Sequence, residues 1–276
     1  MPIGEQDMIV DNEVDSTDLF TGLANGYQDF RPSYPEELLL ELKAYIETHR
    51  NLFWPDRPKV YDIGAGTGIL TRQLRSILGG KFGLKGVEPN QDMREAARTS
   101  TPSGLDIDYL YGVAERLPIE DGEASVILVA QAAHWFDRAR FYHEVRRALH
   151  RQGVFGIMQN DRAWDTSAFN DNFEQFLEAA SPGYTRHYRD FPFLDELMAA
   201  EGFEEVTSCS VEWCREMTED QWLGMSLSST KVQKAIENLG KEKVVESLKR
   251  LMLPFLTADR RVHVHYRSKL FLALRL

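Results

Sequence analysis

The feature that most constrains the fold is a short apolar segment that ends at three closely spaced glycines. Val60-Tyr61-Asp62-Ile63 has the composition of a buried strand, and glycines follow at 64, 66 and 68. Glycine permits the sharp turn and the close backbone approach that such a loop needs. A helical pattern of apolar residues begins directly after the loop. The helix would present its N–H groups and positive dipole end there, which favours a carboxylate or a phosphate ligand.

The alternation of strand and helix patterns continues to about residue 158. The run Ala124–Gln131 is apolar almost throughout, which is typical of a strand covered on both faces. Helical patterns over 92–99 and 141–149 separate further segments of strand length. Strands that alternate with helices indicate βαβ units and a parallel sheet. We therefore predict a doubly wound α/β fold.

Changes in this pattern divide the chain into five predicted segments. Residues 1–19 carry six Asp or Glu side chains and few large apolar groups, so we predict a flexible tail. Residues 20–55 would form an N-terminal lid segment. The core would span 56–218, a helical cap insertion 219–258, and the final core strand or strands 259–276. The insertion would interrupt the sheet before its last strand and could cover the ligand edge.

Charge and composition restrict the class of partner. The chain has 32 basic and 43 acidic side chains, a net charge of −11, which disfavours a nucleic-acid partner. Two cysteines cannot make the disulfide framework of a secreted domain. No secretion signal or apolar stretch of membrane-spanning length is present in the sequence. We predict a cytoplasmic protein that acts on a small molecule, without a membrane partner; the oligomeric state stays open.

Details of the glycine loop restrict the cofactor. The spacing is G-x-G-x-G, and Ile69 stands where a dinucleotide-binding loop has its third glycine or alanine. Asp62, at the end of a core strand, would need a cationic or donor partner such as an ammonium group. Glu88 ends the next strand, where an acidic side chain can bind both ribose hydroxyls. A cationic amino-acid end, a ribose and an adenine together describe S-adenosylmethionine.

The chain resembles the class I S-adenosylmethionine-dependent methyltransferases, and within them the small-molecule group similar to trans-aconitate methyltransferase. The likeness covers residues 24–160 strongly and is weaker beyond. It implies a seven-stranded Rossmann-like sheet with an antiparallel last strand and a helical cap or lid. The motifs that carry it are Tyr27 with Arg31-Pro32-Ser33-Tyr34-Pro35, Asp62 to Gly68, Gly86-Val87-Glu88-Pro89, Gly112 to Pro118, Ala132-Ala133-His134-Trp135-Phe136-Asp137 and Glu144 to Leu149.

The resemblance also implies roles for individual residues in binding the cofactor. The loop that carries Asp62, Gly64, Ala65, Gly66, Thr67 and Gly68 would hold the methionine end. Glu88 would bind the ribose, Met93 would lie against the adenine, and Ala114 and Glu115 would meet the adenine edge. Gln131 would lie beside the sulfonium. Tyr27, Arg31 and Tyr34 would belong to a lid over the cofactor, where Arg31 could also pair with a carboxylate.

The acceptor side is less defined by the sequence. His134 is a candidate catalytic base, but a substrate hydrogen bond and a structural role are equally open. Trp135 and Trp222 are candidate substrate-binding residues, with core packing as the alternative. No metal site is predicted, since His263 and His265 share a strand face without a third ligand.

The predicted reaction is methyl transfer to a small molecule, with a carboxylate as a suggested acceptor. A carboxylate would need no general base, whereas a hydroxyl or a protonated amine could need one. Two alternatives stay open. The first is a cofactor-binding or interaction protein that has kept the fold without catalysis. The second is an NAD-dependent oxidoreductase, against which Ile69 and Asp62 argue. A macromolecular acceptor is disfavoured by the acidic charge.

Overall fold

The computed structural model describes residues 32–50 and 54–276 and contains one seven-stranded sheet. The strands are β1 Lys59–Ile63, β2 Gly83–Val87, β3 Ile107–Leu110, β4 Ala124–Ala130, β5 Leu149–Arg162, β6 Phe203–Thr218 and β7 Arg261–Arg275. The strand order is β3-β2-β1-β4-β5-β7-β6. The first five strands are parallel, and β7 runs antiparallel to both β5 and β6. The predicted sheet with an antiparallel last strand is confirmed.

Helices lie on both sides of the sheet. In the chain, three of them occur between β6 and β7. Several begin at residues whose side chains accept from backbone N–H groups, as Asn90 does from Met93 at 3.0 Å. Thr218 and Gln221 form a reciprocal capping box at the first helix after β6. The described α-helices are α1 Glu36–His49, α2 Ile69–Leu78, α3 Gln91–Ser100, α4 Arg138–Ala148, α5 Ala168–Ala180, α6 Phe193–Ala199, α7 Glu219–Leu227, α8 Thr230–Leu239 and α9 Lys241–Met252.

The central strand β4 divides two hydrophobic clusters, because side chains alternate between the faces of a strand. Ile127 and Val129 pack in one cluster with Phe141 and Phe155. Val126 and Leu128 pack in the other, which contains residues of α1 and α2. All seven residues of β4 are buried. Burial of each large apolar side chain contributes about 1.5–3 kcal/mol, so this strand fixes the centre of the sheet.

A third hydrophobic cluster, which we call the cap cluster, contains the helices that connect β6 to β7; these helices are the cap. It joins α7, α8 and α9 to α5 and to the adjoining ends of β6 and β7. Trp222 lies at its centre, with ring centroids 5.1 Å from Phe169 and 5.2 Å from Phe173. The helices between β6 and β7 therefore pack as one unit with α5, which precedes β6 in the chain. Within the part of the chain that the structure describes, no helix has the length and apolar character to cross a membrane.

Candidate active site

The loop between β1 and α2 turns sharply at its three glycines. Gly64, Gly66 and Gly68 have φ values of 68°, 54° and 79°, a region that side chains other than glycine rarely adopt. A Cβ on Gly64 would lie 2.6 Å from the Cβ of Ala132, so the backbone there approaches the segment after β4. A Cβ on Gly66 would meet nothing within 4 Å. The loop is thus tightly packed at Gly64 and open at Gly66.

Asp62 lies at the end of β1, directly before this loop. Its side chain is 2% exposed and accepts a hydrogen bond from the Thr71 hydroxyl at 2.6 Å. Burial raises the pKa of Asp62 to about 7, and the nearby Glu88 carboxylate also raises it. Asp62 lines a cavity and has no cation as a partner among the described residues. A ligand ammonium group would supply the positive charge that this buried carboxylate lacks.

Glu88 follows β2 and connects it to the glycine loop. Its two carboxylate oxygens accept from the N–H of Gly66 at 2.9 Å and from the N–H of Asn90 at 3.0 Å. Burial raises the pKa of Glu88, and these two N–H groups oppose the rise. The carboxylate is therefore fixed in place beside Gly66. Two orienting bonds of this kind pre-organise an acid for contact with hydroxyl groups.

Two cavities meet along the C-terminal edge of the parallel strands. The larger has a volume of about 350 Å³ and the smaller about 150 Å³. Ligands of open α/β sheets bind at this edge. The residues that line both cavities are Gly64, Gly66, Ala130, Gln131 and Trp135. The two cavities are therefore adjacent and share these lining residues.

Most of the predicted cofactor residues line this site. The larger cavity is lined by Tyr34, Asp62, Gly64, Ala65, Gly66, Thr67 and Gln131. The smaller cavity is lined by Glu88, Met93, Ala114 and Glu115, together with Gly64, Gly66 and Gln131. Gly68 lines neither cavity. A Cβ on it would lie 2.2 Å from the Tyr109 hydroxyl, so the backbone at Gly68 packs closely against Tyr109. Tyr27 and Arg31 lie outside the described residues.

Gln131 occupies the turn that follows β4. Its φ of 58° is unusual for a residue other than glycine, and such strain is found at functional positions. Its amide oxygen accepts from Arg189, which also pairs with Asp161 at 3.3 Å. The buried Gln131 Nε2 has no hydrogen-bond partner among the described residues. The amide is therefore held at one end and offers a donor at the other.

His134 lies beside Gln131 in the larger cavity. Its ring centroid is 5.0 Å from that of Trp135 and 5.9 Å from that of Tyr188. Burial lowers the pKa of His134 to about 3, and the cations Arg189, Lys231 and Arg138 contribute to the decrease. Its Nε2 is buried and has no hydrogen-bond partner among the described residues. A histidine with this pKa is neutral at physiological pH and is suited to hydrogen bonding rather than to proton storage.

Of the two tryptophans predicted to contact substrate, one lines the cavities and the other does not. Trp135 lines both cavities. Trp222 is 1% exposed and belongs to the cap cluster, and it lines neither cavity. The helical pattern of α7 could not show which of its faces is internal, so the burial of Trp222 was not evident from the sequence. The neighbouring Met225 and Ser226 line the larger cavity instead.

Several residues of the larger cavity were missed from the sequence. Arg189 and Tyr188 belong to the segment between α5 and α6, and Lys231 lies in the first turn of α8. The Lys231 ammonium lies 4.5 Å from the ring centroid of Tyr188 and 5.3 Å from that of Trp135. The run Tyr184-Thr185-Arg186-His187-Tyr188-Arg189 mixes aromatic and basic residues, and this was the signal available. In the described ranges, no group of three acidic, His or Cys residues could hold a metal ion.

Comparison with known proteins assigns the reaction class. A methyltransferase domain family matches residues 61–157, the part that contains Asp62, the glycine loop, Glu88 and Gln131. The chain therefore contains a methyltransferase domain over these residues. Its fold is that of the class I methyltransferases, whose methyl donor is S-adenosylmethionine.

Relatives and solved structures extend the similarity beyond this domain. A protein of Dictyostelium discoideum named as a methyltransferase is 27% identical over 86% of this chain and 85% of its own length. An uncharacterised methyltransferase of Mycobacterium tuberculosis is 34% identical over 52% of each chain, so the match spans about half of that relative. An Anaeromyxobacter dehalogenans structure named as a type II methyltransferase has a TM-score of 0.64 at 23% identity, covering 88% of this chain and 97% of that one. The last comparison concerns the fold alone.

Proposed function

We propose that the enzyme transfers the methyl group of S-adenosylmethionine to a small carboxylic acid bound in the larger cavity. The observation that carries this proposal is the lining of that cavity. It combines the glycine loop on one side with basic and aromatic side chains on the other, among them Arg189, Lys231 and Tyr188. Such a lining favours an anionic molecule with some apolar surface. A cavity of about 350 Å³ suits a small acceptor rather than a macromolecule.

The described residues fit the cofactor. Thr67 Oγ1 and Gln131 Nε2 are buried polar atoms that have no hydrogen-bond partner among the described residues, and both residues line the larger cavity. The buried Asp62 carboxylate is suited to the ammonium group, and the oriented Glu88 carboxylate to the ribose hydroxyls. Met93, Ala114 and Glu115 line the smaller cavity, which suits the adenine. When bound, S-adenosylmethionine supplies an electrophilic methyl carbon attached to a good leaving group.

A carboxylate acceptor agrees with the chemistry of His134. A carboxylate is already ionised at neutral pH, so it needs no base to become a nucleophile. With its pKa lowered to about 3, His134 is neutral and can hydrogen-bond the acceptor through Nε2. Gln131 Nε2 supplies a second donor nearby. The protein would then mainly align the acceptor and exclude water, which is where methyl transfer gains most of its rate.

The test is transfer of labelled methyl from S-adenosylmethionine to a panel of small carboxylic acids, alcohols and amines. The full chain would first be freed of co-purified ligand. A methyl ester releases its label as volatile methanol in mild base, whereas a methyl ether or a methylamine does not. We expect base-labile label with acids only. Asp62→Asn should transfer more slowly at subsaturating S-adenosylmethionine, whereas Lys234→Met, at an exposed position, should not change the rate.

Three results would contradict the proposal in different ways. Base-stable label on an alcohol or amine would refute the carboxylate acceptor and leave the cofactor in place. Saturable binding of S-adenosylmethionine without transfer to any acceptor would favour a non-catalytic binding protein. Calorimetric binding of NAD in place of S-adenosylmethionine would refute the cofactor as well.

A further inference from the structure

Two hydrogen bonds in series connect the edge strand β6 to the larger cavity. The Trp213 Nε1–H on β6 donates to the Ser268 hydroxyl on β7 at 2.8 Å. The Ser268 hydroxyl donates in turn to Asn160 Oδ1 on β5 at 3.0 Å. Ser268 is directly opposite Asn160 in the pairing of β5 with β7, and Trp213 lies diagonally across from Ser268 on β6. Of these three residues, only Asn160 lines the cavity.

The direction of these bonds follows from the groups that make them. An indole N–H can only donate, so the Ser268 oxygen is the acceptor for Trp213. Ser268 has no exposed surface, and the only acceptor for its hydroxyl proton among the described residues is Asn160 Oδ1. Rotation of the Asn160 amide by 180° would leave that buried proton without an acceptor, which is unfavourable. The amide oxygen of Asn160 therefore faces β7.

The amide nitrogen of Asn160 has no partner within the protein. Asn160 is 8% exposed, and its Nδ2 makes no hydrogen bond to any described residue. Asn170 is a buried asparagine that lines neither cavity, and its Nδ2 donates to the carbonyls of Ala163 and His265. Buried polar groups without a partner are few in native proteins. The contrast indicates that Asn160 Nδ2 serves a bound molecule.

Strand geometry directs this nitrogen into the cavity. Because β5 lies between β7 and β4, an amide whose oxygen faces β7 turns its nitrogen away from that strand. β4 ends at Ala130, which is opposite Met158, so Asn160 lies two residues beyond the end of β4. Ala130 and Asn160 both line the larger cavity. The cavity thus occupies the space that a longer β4 would fill.

The position of β5 in the sheet assigns the nitrogen to the acceptor rather than to the cofactor. Asp62 in β1 and Glu88 after β2, which we propose for the cofactor, lie on the other side of β4 from Asn160. Neighbouring strands are about 4.8 Å apart, so β5 lies about 10 Å from β1. A molecule bound over β5 is therefore beside the cofactor residues and separate from them.

We propose that Asn160 binds the acceptor by donating from Nδ2 to a carboxylate oxygen, and that Ser268 and Trp213 are positioning residues that fix its amide in this orientation. The inference rests on the proposed function, since it assumes that a carboxylic acid occupies the larger cavity. It adds a residue that determines specificity. A donor that cannot rotate favours an oxygen that accepts a hydrogen bond and disfavours a group that donates, such as a protonated amine.

The test is calorimetric titration of the full chain loaded with S-adenosylhomocysteine. The probes are butyrate, hexanoate and octanoate, of which at least one should bind. Asn160→Asp keeps an oxygen that accepts from Ser268 and replaces the donor with an acceptor, so it should weaken binding of the best probe at least about tenfold. Asn172→Asp places the same charge at an exposed position and should change that affinity less than about twofold. Affinity for S-adenosylhomocysteine should change less than about threefold in either variant.

Ser268→Ala tests the positioning role without a change of charge. Ser268 lines neither cavity, so we expect its hydroxyl to act on the probe through Asn160. Ser268→Ala should weaken probe binding about threefold or more, and it should cause no further loss when it is added to Asn160→Asp. Trp213→Phe keeps the ring that stacks on Tyr266 and removes only the indole N–H, so its effect should be smaller. Ser125→Ala, at an equally buried serine that lines neither cavity, should leave probe binding unchanged.

Three outcomes would overturn this role of Asn160 and leave the proposed function intact. The first is unchanged probe affinity in Asn160→Asp or, if that variant does not fold, in folded Ser268→Ala. The second is a full additional loss from Ser268→Ala in the double variant, which would mean that Ser268 acts independently of Asn160. The third is a larger loss of affinity for S-adenosylhomocysteine than for the probe, which would assign Asn160 to the cofactor. If the chain binds S-adenosylhomocysteine but none of the three acids, the proposed acceptor class is refuted, and this inference with it.

Discussion

Asp62 gives the sharpest quantitative prediction, because its burial makes it costly for folding and useful for binding. Its pKa rises from an ordinary value of 3.8 to about 7 in the folded protein. At about 1.4 kcal/mol per pKa unit, this rise corresponds to about 4 kcal/mol of lost stability when the carboxylate is fully ionised. Asp62→Asn removes the charge and keeps an oxygen that can accept from the Thr71 hydroxyl.

The sign depends on pH. Below about pH 4 the Asp62 carboxyl is protonated in both states and costs nothing, so the variant should match the parent. Between pH 4 and 7 the folded state holds a proton that the unfolded state has lost, and the cost of the charge grows with pH. Above pH 7 the cost is constant. Cofactor-free Asp62→Asn should therefore be more stable than the parent by up to about 4 kcal/mol at pH 8.

Cofactor binding should change in the opposite direction. An ammonium group prefers the ionised carboxylate, so the parent's affinity for S-adenosylmethionine should rise between pH 6 and 8, whereas that of Asp62→Asn should not. The variant should also bind about 1–3 kcal/mol more weakly at pH 8. Urea unfolding at pH 5 and 8 and calorimetry over the same range measure both effects. A variant that is less stable at pH 8, or that binds the cofactor as the parent does, would refute this account of Asp62.

Three further predictions concern the remaining parts of the site and the cap. Glu88→Gln should weaken S-adenosylhomocysteine binding by about 1–3 kcal/mol in calorimetry, since the acceptor for the ribose hydroxyls loses its charge; unchanged affinity would mean that the ribose lies elsewhere. Trp222→Ala should lower the free energy of unfolding by about 3–5 kcal/mol with cofactor affinity unchanged, and Trp222→Phe should cost less. A selective loss of acceptor affinity in the Trp222 variants would restore the substrate contact. With the pKa of His134 at about 3, kcat at saturating cofactor should show no histidine ionisation between pH 5.5 and 8.5, and His134→Gln should keep more activity than His134→Phe. If kcat of the parent decreases as the pH drops through about 6.5, and kcat of His134→Gln does not, His134 acts as a base.

The positions of the residues that we propose for the cofactor could be predicted because their signals are local in the sequence. Asp62, the glycines and Glu88 each lie at or just after the C-terminal end of a strand, and parallel strands bring these ends to one edge. The alternation of apolar runs and helical patterns was sufficient to place those ends. The pairing of Glu88 with the Gly66 N–H follows from that topology rather than from any motif.

The side of the larger cavity that we propose for the acceptor could not be predicted, because it depends on contacts distant in the sequence. Arg189 meets Gln131 across 58 positions, and Lys231 meets Trp135 only because the cap cluster packs as it does. The burial of Trp222 has the same origin, since a helical pattern shows that a face is apolar without showing what covers it. The antiparallel pairing of β6 with β7 extends beyond the ends of the parallel strands. The helices of the cap connect these two strands at that end.

The division of the larger cavity between two parts of the chain has an evolutionary consequence. The loop and strand ends that suit the cofactor lie within residues 61–157, whereas Ser226, Thr230 and Lys231 lie in the insertion between β6 and β7. Mutations in the insertion can alter the acceptor side while leaving the glycine loop, Asp62 and Glu88 unchanged. Selection can therefore change the choice of acceptor separately from the capacity for methyl transfer, and enzymes with the same donor site can diverge in substrate through this segment.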